Sequence, residues 1–571
     1  MKFPFKNIES ILNSNDLQTQ SHTLKQCREF IAKHKNALNH KQYGFLLLCN
    51  VALSMKLEPA KTALKVVEDA LSFYPDRQDL LINHAILIYN EGLLDQAEIE
   101  FTNILSTFSK SWITRFYLMQ IMADQKRLDE AVILLQQTPE LNLEKHETHL
   151  SETFCTFCEQ ASKILRGKNK YKLAASFVSS GLRQNLTHYR LLQERAINAR
   201  WLGQYQESLN CYAMMKMLKH HDPNYYNNRA LVYENMRQYD LALKDLEHTI
   251  KNPKFDPDSK IHAYWLRASL HLRTGRFKQG WADNIKRWQR PDHAMQRCKQ
   301  GFKEWDGQPL NQRSIYLYQE QGYGDIIQFC RFANLLKQKD VAHIYIETQP
   351  GLERLLSSLK CAERVFSVTD PVKPKADLQC PIIDLPYFLD ISDSQNIPFS
   401  EGYLKAPFSI KIKRDPRIPS VGLVWSGNPE QPIGYWRDMK LDDLKPLFEL
   451  THLQYVNLSR DIEVSGFKGH PSQNNMIDLS SYMQDFALTA ALLEHVDLVI
   501  TTCTAMAHLA GSIGKECWVM LATNPSWVWL DEGTKSAWYK SVRLYRQKNF
   551  GRWDEVVEDI KKDLYLKYPR K

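Results

Sequence analysis

The sequence predicts an α-helical repeat array followed by two α/β domains, each built on a parallel sheet. Two patterns carry this prediction. A short motif recurs at intervals of 34 residues in the first half, and β-rich segments alternate with helical segments in the second half. The chain of 571 residues is long enough for about three or four domains. Its 43% hydrophobic and 24% charged residues are ordinary for a globular protein.

The repeated motif is a hydrophobic residue, two variable residues and then a small residue. Clear copies begin at Leu94, Leu128, Tyr171, Tyr205, Tyr239 and Phe277, and a weaker copy covers residues 57–60. The small residues Ala97 and Ala131 are 34 residues apart, as are Ala174 and Ser208. A 34-residue period of paired helices is typical of tetratricopeptide (TPR) repeats. We therefore predict a TPR α-solenoid of about seven repeats over residues 1–290.

Two roles are consistent with such an array. Repeat solenoids present a concave face that commonly binds a peptide or a partner protein. In the alternative interpretation, the array supports the domain that follows it or mediates self-association. The sequence does not decide between them.

The second half predicts two Rossmann-like domains, at 305–402 and 421–571, joined by a linker at 403–420. The predicted strands are 314–319, 343–348, 364–368 and 378–384 in the first domain, and 421–427, 454–459, 498–502, 517–521 and 543–546 in the second. Helical segments lie between most of them, which indicates parallel sheets built from βαβ units, and a helix is expected to close the C-terminal domain. Ligands are then expected in a cleft at the carboxyl ends of the strands.

The charge and cysteine content restrict the class of protein. The net charge of +9 is compatible with an anionic ligand, but no dense Lys/Arg block indicates a nucleic-acid partner. Eleven cysteines without a paired framework indicate a reducing compartment. The N-terminal residues lack the apolar core of a signal peptide, and no apolar segment is long enough to span a membrane. We expect a cytoplasmic protein.

The first candidate site motif follows the first predicted strand. Gln321, Gly322, Gly324 and Asp325 form a tight strand-to-helix turn in which the glycines permit a close ligand approach. Asp325 has two interpretations, since it is either an ordinary acid in the first turn of a helix or a general base for an acceptor hydroxyl.

The second motif follows the strand at 421–427. Ser426, Gly427 and Asn428 form a small polar loop, and Arg437 comes nine residues after Asn428. A loop of this kind with an arginine suits a phosphate group. The alternative is an ordinary turn beside a surface arginine.

The third motif follows the strand at 498–502. Thr504 is a candidate helix N-cap, Ala505 and Met506 offer backbone N–H groups, and His508 offers a side-chain donor. Cys503 lies in the turn. The alternative for His508 alone is a buried histidine with an internal partner. No Asp-x-Asp follows a predicted Rossmann strand, so a metal-bound nucleotide-sugar site of that type is not expected.

With these motifs, the sequence resembles bacterial proteins that join TPR repeats to a glycosyltransferase domain similar to the heptosyltransferases of glycosyltransferase family 9. The resemblance covers about residues 260–565. It is carried by 275–288 with its Gly-Arg-Phe, Gly-Trp and Arg-Trp pairs, WDGQPL (305–310), EQGYGDIIQFCRF (320–332), VGLVWSGNP (421–429), DLVITTCTAMAHLAGSIGK (497–515), SAWYKSVRLYRQ (536–547) and GRWDEVV (551–557).

The resemblance implies a GT-B glycosyltransferase module and an inverting transfer from a nucleotide sugar that needs no metal or other cofactor. It implies that Asp325 is the base, that Thr504, Ala505, Met506 and His508 hold the diphosphate, and that Arg437 is the basic residue of the related loop. The expected acceptor is a protein or a glycan, recruited by the TPR groove.

Cys503 departs from the pattern, because the relatives usually have an aspartate there that is expected to contact the donor sugar. Either the donor sugar differs, or the domain is a relic and the protein is a catalytically degenerate TPR adaptor. A third hypothesis is an enzyme related to the protein O-GlcNAc transferases, although the motifs resemble the heptosyltransferases more.

Overall fold

The computed structural model describes residues 11–12, 16–34, 38–137, 148–218, 222–289, 301–459 and 476–570. The chain divides into two compact units. The first comprises Met1–Leu202 and Ala213–Leu218, and the second comprises Gly203–Tyr212 and Lys219–Lys571. This division falls inside the helical repeats, whereas the sequence places the change from helices to sheets near residue 290.

Helices account for the first half of the chain. Their bounds are α1 Leu17–His34, α2 His40–Leu57, α3 Ala60–Phe73, α4 Gln78–Asn90, α5 Leu94–Thr107, α6 Trp112–Asp124, α7 Leu128–Gln136, α8 Thr148–Gly167, α9 Tyr171–Gln184, α10 Tyr189–Trp201, α11 Tyr205–Met217, α12 Pro223–Asn235, α13 Tyr239–Lys251, α14 Pro257–Arg273 and α15 Phe277–Asn284. A short 3-10 helix, Ile285–Gln289, follows. The helical part of the fold class is confirmed.

The repeated motif marks the start of the second helix of each repeat. Each clear copy begins at the first residue of α5, α7, α9, α11, α13 or α15. The small fourth residues Ala97, Ala131, Ala174, Ser208 and Ala242 are fully buried. A small side chain is required there because the helix approaches its neighbours closely one turn after its start. At Gly280, a Cβ would lie 2.6 Å from Leu272 Cγ.

The weaker copy predicted at 57–60 is out of register by three residues. Helix α3 begins at Ala60, so its small fourth residue is Ala63, which is fully buried and lies 34 residues before Ala97. The spacing from Ala242 to Gly280 is 38 residues because α14 is 17 residues long, one turn longer than the 13-residue α12.

The second unit contains two parallel sheets, which confirm the α/β part of the fold class. The strands are β1 Lys303–Glu304, β2 Ile315–Tyr318, β3 Ile344–Thr348, β4 Arg364–Ser367, β5 Leu378–Pro381, β6 Ser420–Val424, β7 Gln454–Asn457, β8 Met476–Asp478, β9 Leu498–Thr502, β10 Cys517–Leu521 and β11 Val542–Arg546. The helices of this part are α16 Tyr323–Phe329, α17 Glu353–Leu356, α18 Leu385–Phe388, α19 Gly434–Arg437, α20 Phe486–Leu493, α21 Ala505–Ser512 and α22 Asp554–Lys567.

The strand order places one switch point in each sheet. The first sheet has the order β1-β5-β2-β3-β4 and the second has β11-β10-β9-β6-β7-β8, with all neighbours parallel. The chain reverses its direction of winding between β2 and β5, and again between β6 and β9. Crevices at such points, outside the carboxyl ends of the strands, are the usual ligand sites of open α/β sheets.

Most predicted strands agree with the structure within one to three residues. The fourth strand ends at Pro381, and 382–384 form a 3-10 helix instead of extending it. Strands β1 and β8 are additional edge strands of two and three residues. Helix α22 closes the second domain through contacts with β11 and with the 3-10 helix Leu441–Glu449, where Lys561 pairs with Glu449 at 2.6 Å. Across the described ranges, no helix is long and apolar enough to cross a membrane.

A buried arginine joins the two sheet domains and their linker. Arg331 is fully buried and donates to Gln328 O at 2.9 Å, to Trp538 O at 2.8 Å and to the Tyr403 hydroxyl at 3.1 Å. Its guanidinium also lies over the rings of Tyr403 at 4.5 Å and Tyr539 at 4.6 Å. These carbonyls and aromatic faces satisfy the buried charge with hydrogen bonds and cation–π contacts.

We expect Arg331→Leu to lower the free energy of unfolding of the sheet region by about 3 kcal/mol, because buried acceptors lose a charged donor. Urea unfolding followed by tryptophan fluorescence measures the loss. Arg417→Leu is the control, since Arg417 is 87% exposed and pairs with Asp415 two residues away. Equal urea midpoints for the two variants would show that Arg331 does not hold the domains together.

Candidate functional site

A cleft of about 810 Å³ lies where the two switch points meet. Three polar turns line it, and they follow β2, β6 and β9. The predicted site residues in its lining are Gln321, Gly322, Gly324, Asp325, Ser426, Gly427, Asn428, Arg437, Thr504, Ala505 and Met506. The structure therefore brings the three sequence motifs together in one place, as expected for turns at the carboxyl ends of parallel strands.

Asp325 lies in the first turn of α16 and is partly buried. Its carboxylate accepts a hydrogen bond from Gly322 N at 3.1 Å. Burial raises the pKa of Asp325 to about 6, and the nearby Glu320 carboxylate adds to the increase, while the Gly322 N–H opposes it. A carboxylate with a pKa near neutrality is suited to accept a proton from a substrate.

Glu320 belongs to a buried network behind Asp325. Arg287 donates Nε to Glu320 at 2.7 Å and pairs with Asp384 at 2.6 Å, and Trp288 Nε1 donates to Asp384 at 2.7 Å. Burial raises the pKa of Asp384. The network fixes the ends of β2 and β5 against the 3-10 helix that follows α15, and it holds a negative charge close to Asp325.

Arg437 provides a positive charge on the other side of the cleft. Its Nε donates to Asp438 at 2.9 Å and its Nη1 donates to Cys503 O at 3.2 Å. Nη2 is buried and has no hydrogen-bond partner within the part of the chain that the structure describes. A Cβ at Gly427 would lie 2.3 Å from this nitrogen, so a larger residue there would displace the guanidinium from its present position. An anion in the cleft would satisfy the remaining N–H groups.

The N-terminus of α21 also lines the cleft. Thr504 is its N-cap, accepts from Met506 N at 3.3 Å, and lies 3.1 Å from Thr501 Oγ1. The Ala505 N–H also belongs to the first turn, where the helix dipole favours negative charge, whereas the Met506 N–H is already engaged by the Thr504 cap. The expected position of these residues agrees with the structure, whereas their role as a diphosphate site stays a prediction.

Helices α16 and α21 touch at a glycine. A Cβ at Gly324 would lie 3.0 Å from His508 Cδ2 and 3.4 Å from Ala505 Cα. The absence of a side chain at Gly324 therefore allows the helix that carries Asp325 to pack against the helix that offers its N-terminus.

The side chain of His508 does not line the cleft, and its role as a donor to the ligand stays a prediction. His508 Nδ1 lies 3.0 Å from the Tyr539 hydroxyl, and its ring stacks on Trp529. Burial, with the positive charge of Arg331, lowers the pKa of His508 to about 3. The neutral ring is part of the domain interface, and it is absent from the lining of the cleft.

Cys503 also points away from the cleft. Trp529 Nε1 donates to its sulfur at 3.0 Å, and burial raises the pKa of the thiol. Only its backbone carbonyl takes part in the site, as the acceptor for Arg437. The side chain at position 503 is therefore directed at Trp529 rather than at a ligand in the cleft.

Several lining residues lie outside the predicted set. They are Tyr323, Val424, Pro429, Gln431, Ile433, Leu458, Met483, Asp485, Phe486 and Thr489. Tyr323 is 41% exposed and packs on Phe486 with ring centroids 5.1 Å apart. Asp485 caps α20 and pairs with Arg354 of the first sheet domain at 2.9 Å. An aspartate immediately before an apolar helix is a capping signal in the sequence, but nothing in the sequence indicates that α20 borders the cleft.

Comparison with known proteins finds similar solved structures. YrrB, a TPR protein with an unusual peptide-binding site, is 16% identical over 35% of this chain and 98% of its own, with a TM-score of 0.29. The C-terminal part of a TPR protein from Cytophaga hutchinsonii is 14% identical over 43% and 97%, with a TM-score of 0.32. A mutant O-GlcNAc transferase from Thermobaculum terrenum is 10% identical over 73% and 91%, with a TM-score of 0.25. No protein-family model and no curated protein sequence matches the chain.

We expect Asp325→Asn to raise the melting temperature more at about pH 7.5 than at about pH 4. The raised pKa means that the folded protein binds this proton more tightly than the unfolded chain, so wild-type stability falls as pH rises from 3.8 towards about 6. The asparagine amide does not titrate in this range, so the variant does not lose this stability as the pH rises.

Differential scanning calorimetry of the wild type and the variant at both pH values measures the effect. Asp415→Asn is the control, because its exposed carboxylate has a pKa lowered to about 2 by Arg417, and its replacement gives no gain at neutral pH. A pH-independent difference between wild type and Asp325→Asn would show that Asp325 is not perturbed.

Proposed function

We propose that the chain is a TPR-containing inverting glycosyltransferase that moves a sugar from a nucleotide sugar to a hydroxyl acceptor. One observation carries the proposal. A single cleft contains a carboxylate with a raised pKa, a helix N-terminus and a buried arginine whose Nη2 has no hydrogen-bond partner among the described residues. These are the groups that a transfer from a diphosphate leaving group requires on opposite sides of the sugar.

Asp325 acts as the general base in this proposal. Its carboxylate takes the proton from the acceptor hydroxyl as the hydroxyl oxygen bonds to the anomeric carbon of the sugar. The bond from that carbon to the diphosphate oxygen breaks at the same time, on the opposite face. The network around Arg287 keeps Glu320 beside Asp325. The negative charge of Glu320 raises the pKa of Asp325 further and so makes Asp325 a stronger base.

The diphosphate binds to the second sheet domain. The N–H groups at the start of α21 and the free Nη2 of Arg437 stabilise the negative charge that develops on the leaving group. The resemblance to the family 9 heptosyltransferases implies that these donors act without a metal or other cofactor. His508 has no direct role in the proposal, because its ring supports the packing of α21 against Trp529 and Tyr539.

The cysteine at position 503 does not rule out the proposed activity. Its thiol is directed at Trp529, so the cleft lining shown by the structure does not depend on an aspartate at that position. A degenerate adaptor would fail to bind nucleotides in the cleft, and nucleotide binding therefore separates the two hypotheses.

We expect Arg437→Met to weaken the binding of nucleoside diphosphates by about tenfold or more, because a charge-assisted hydrogen bond contributes about 1.5–3 kcal/mol. Isothermal titration calorimetry with ADP, GDP and UDP measures the affinity. Lys440→Met is the matched control, since Lys440 is exposed in the next loop and is absent from the cleft lining. Failure of the wild type to bind any of the three would favour the adaptor.

We expect Asp325→Asn to lower turnover by about a hundredfold or more, with nucleotide affinity unchanged, because the amide cannot accept the proton. Release of nucleotide from a panel of ADP-, GDP- and UDP-linked hexoses measures turnover. Asp325→Glu is a useful comparison, since it keeps the base but displaces it. Equal turnover in wild type and Asp325→Asn would remove Asp325 from the role of base.

A further inference from the structure

A second, smaller cavity shares Asp325 with the cleft. Its volume is about 90 Å³, and residues of the last repeat form one wall of it. The residues that matter for its chemistry are Trp265, Ser269, Trp281, Asn284, Asp325 and Trp527. Asp325 therefore borders two spaces, one lined by the donor groups of the second sheet domain and one lined by helices α14 and α15.

We infer that the small cavity receives the acceptor group, and that this group is the side chain of a serine or threonine in a polypeptide. The inference rests on the proposed function. In that function the acceptor oxygen must reach Asp325 from a side that the nucleotide sugar does not occupy. Of the two spaces that Asp325 borders, the small cavity is the one separate from Arg437 and from the N-terminus of α21.

The size of the cavity restricts the acceptor. A cavity of about 150 Å³ accommodates one benzene molecule, so a cavity of about 90 Å³ accommodates a group of roughly four non-hydrogen atoms. The hydroxyl-bearing side chains of serine and threonine are smaller than this limit. A pyranose ring with its hydroxyl groups is well above it, which disfavours a glycan acceptor.

The walls of the cavity are fixed by contacts to both sheet domains. Trp281 Nε1 donates to Ile391 O of the first domain at 2.8 Å, and Arg273 donates to Pro525 O of the second at 2.7 Å. Trp281 and Trp527 pack edge to face with centroids 5.6 Å apart. A rigid wall of this kind does not widen readily to admit a sugar ring.

The rim of the cavity suits a polypeptide. Trp265 is 41% exposed, and the His262 ring stacks beside it with centroids 6.0 Å apart. Exposed aromatic rings bind the residues that flank an inserted side chain with little loss of conformational entropy. Ser269, Asn284 and Gln321 add polar groups around the point where the hydroxyl would enter.

The transfer balances with these groups alone. The serine or threonine oxygen forms the new bond to the anomeric carbon, its proton passes to Asp325, and the nucleoside diphosphate leaves with the electron pair of the broken bond. The proton later returns to solvent. No further reactant is needed.

The experiment compares wild type with Ser269→Phe, which fills the small cavity, and with Gln279→Phe, which makes a bulky change on the exposed side of α15. The acceptors are nonapeptides that differ only in a central Ser, Thr or Ala, together with lactose and chitobiose. The donors are the same panel of ADP-, GDP- and UDP-linked hexoses. Mass spectrometry detects transfer, and nucleotide release without acceptor measures donor hydrolysis.

We expect wild type and Gln279→Phe to modify the Ser and Thr peptides and neither saccharide. Ser269→Phe should lower the rate of peptide transfer by about tenfold or more, with nucleotide affinity unchanged. Ser269→Val, a smaller change, should give an intermediate loss and guards against misfolding of the phenylalanine variant. Modification of a saccharide, or equal peptide transfer by Ser269→Phe and Gln279→Phe, would overturn the inference.

A binding arm tests the cavity even if no donor in the panel is turned over. Fluorescence anisotropy of labelled Ser, Thr and Ala peptides, with ADP, GDP or UDP present, should show weaker binding to Ser269→Phe than to Gln279→Phe. Equal binding to both variants, or no binding to wild type, would overturn the inference. Peptide binding without nucleotide binding would instead contradict the proposed glycosyltransferase.

Discussion

The buried guanidinium of Arg331 is the interaction on which the α/β half of the protein depends. Within the described residues it has no carboxylate partner, and its charge is satisfied by main-chain carbonyls, the Tyr403 hydroxyl and aromatic faces. Those groups come from the first sheet domain, the linker and the second sheet domain. Because an unpaired buried charge is costly, the three segments are held in one arrangement. That arrangement places the switch points of the two sheets together.

The geometry of the cleft follows from this arrangement. Gly324 lets α16 touch α21, so the turn that carries Asp325 lies close to the N-terminus that follows β9. On α21, the neutral ring of His508 contacts the Tyr539 hydroxyl and stacks on Trp529, which in turn donates to the Cys503 sulfur. Asp325 is thereby placed between the large cleft and the small cavity beside the last repeat. This position is what a base between a donor and an acceptor requires.

Periodicity predicts the repeats and most of the strands because burial imposes the same pattern on every copy. Periodicity fails where burial is weak or local. It places the weakest motif copy at 57–60, three residues before the copy that ends at Ala63, and it does not detect the short edge strands β1 and β8. The three site turns were predictable because they follow parallel strands. The orientations of the Cys503 and His508 side chains were not predictable, because the sequence does not show that Trp529 and Tyr539 pack behind them. The buried network behind Asp325 was not predictable either, because its members are distant in the chain. Arg287 lies 33 residues before Glu320, to which it donates, and Trp288 lies 96 residues before Asp384.

The most direct test of the central claim is a crystal structure of the protein with a bound nucleoside diphosphate sugar. We predict that the diphosphate lies against the backbone of Ala505 and Met506 and within hydrogen-bond distance of Arg437 Nη2, with the anomeric carbon directed towards Asp325. A nucleotide bound away from the N-terminus of α21, or a sugar directed away from Asp325, would contradict the proposed glycosyltransferase site.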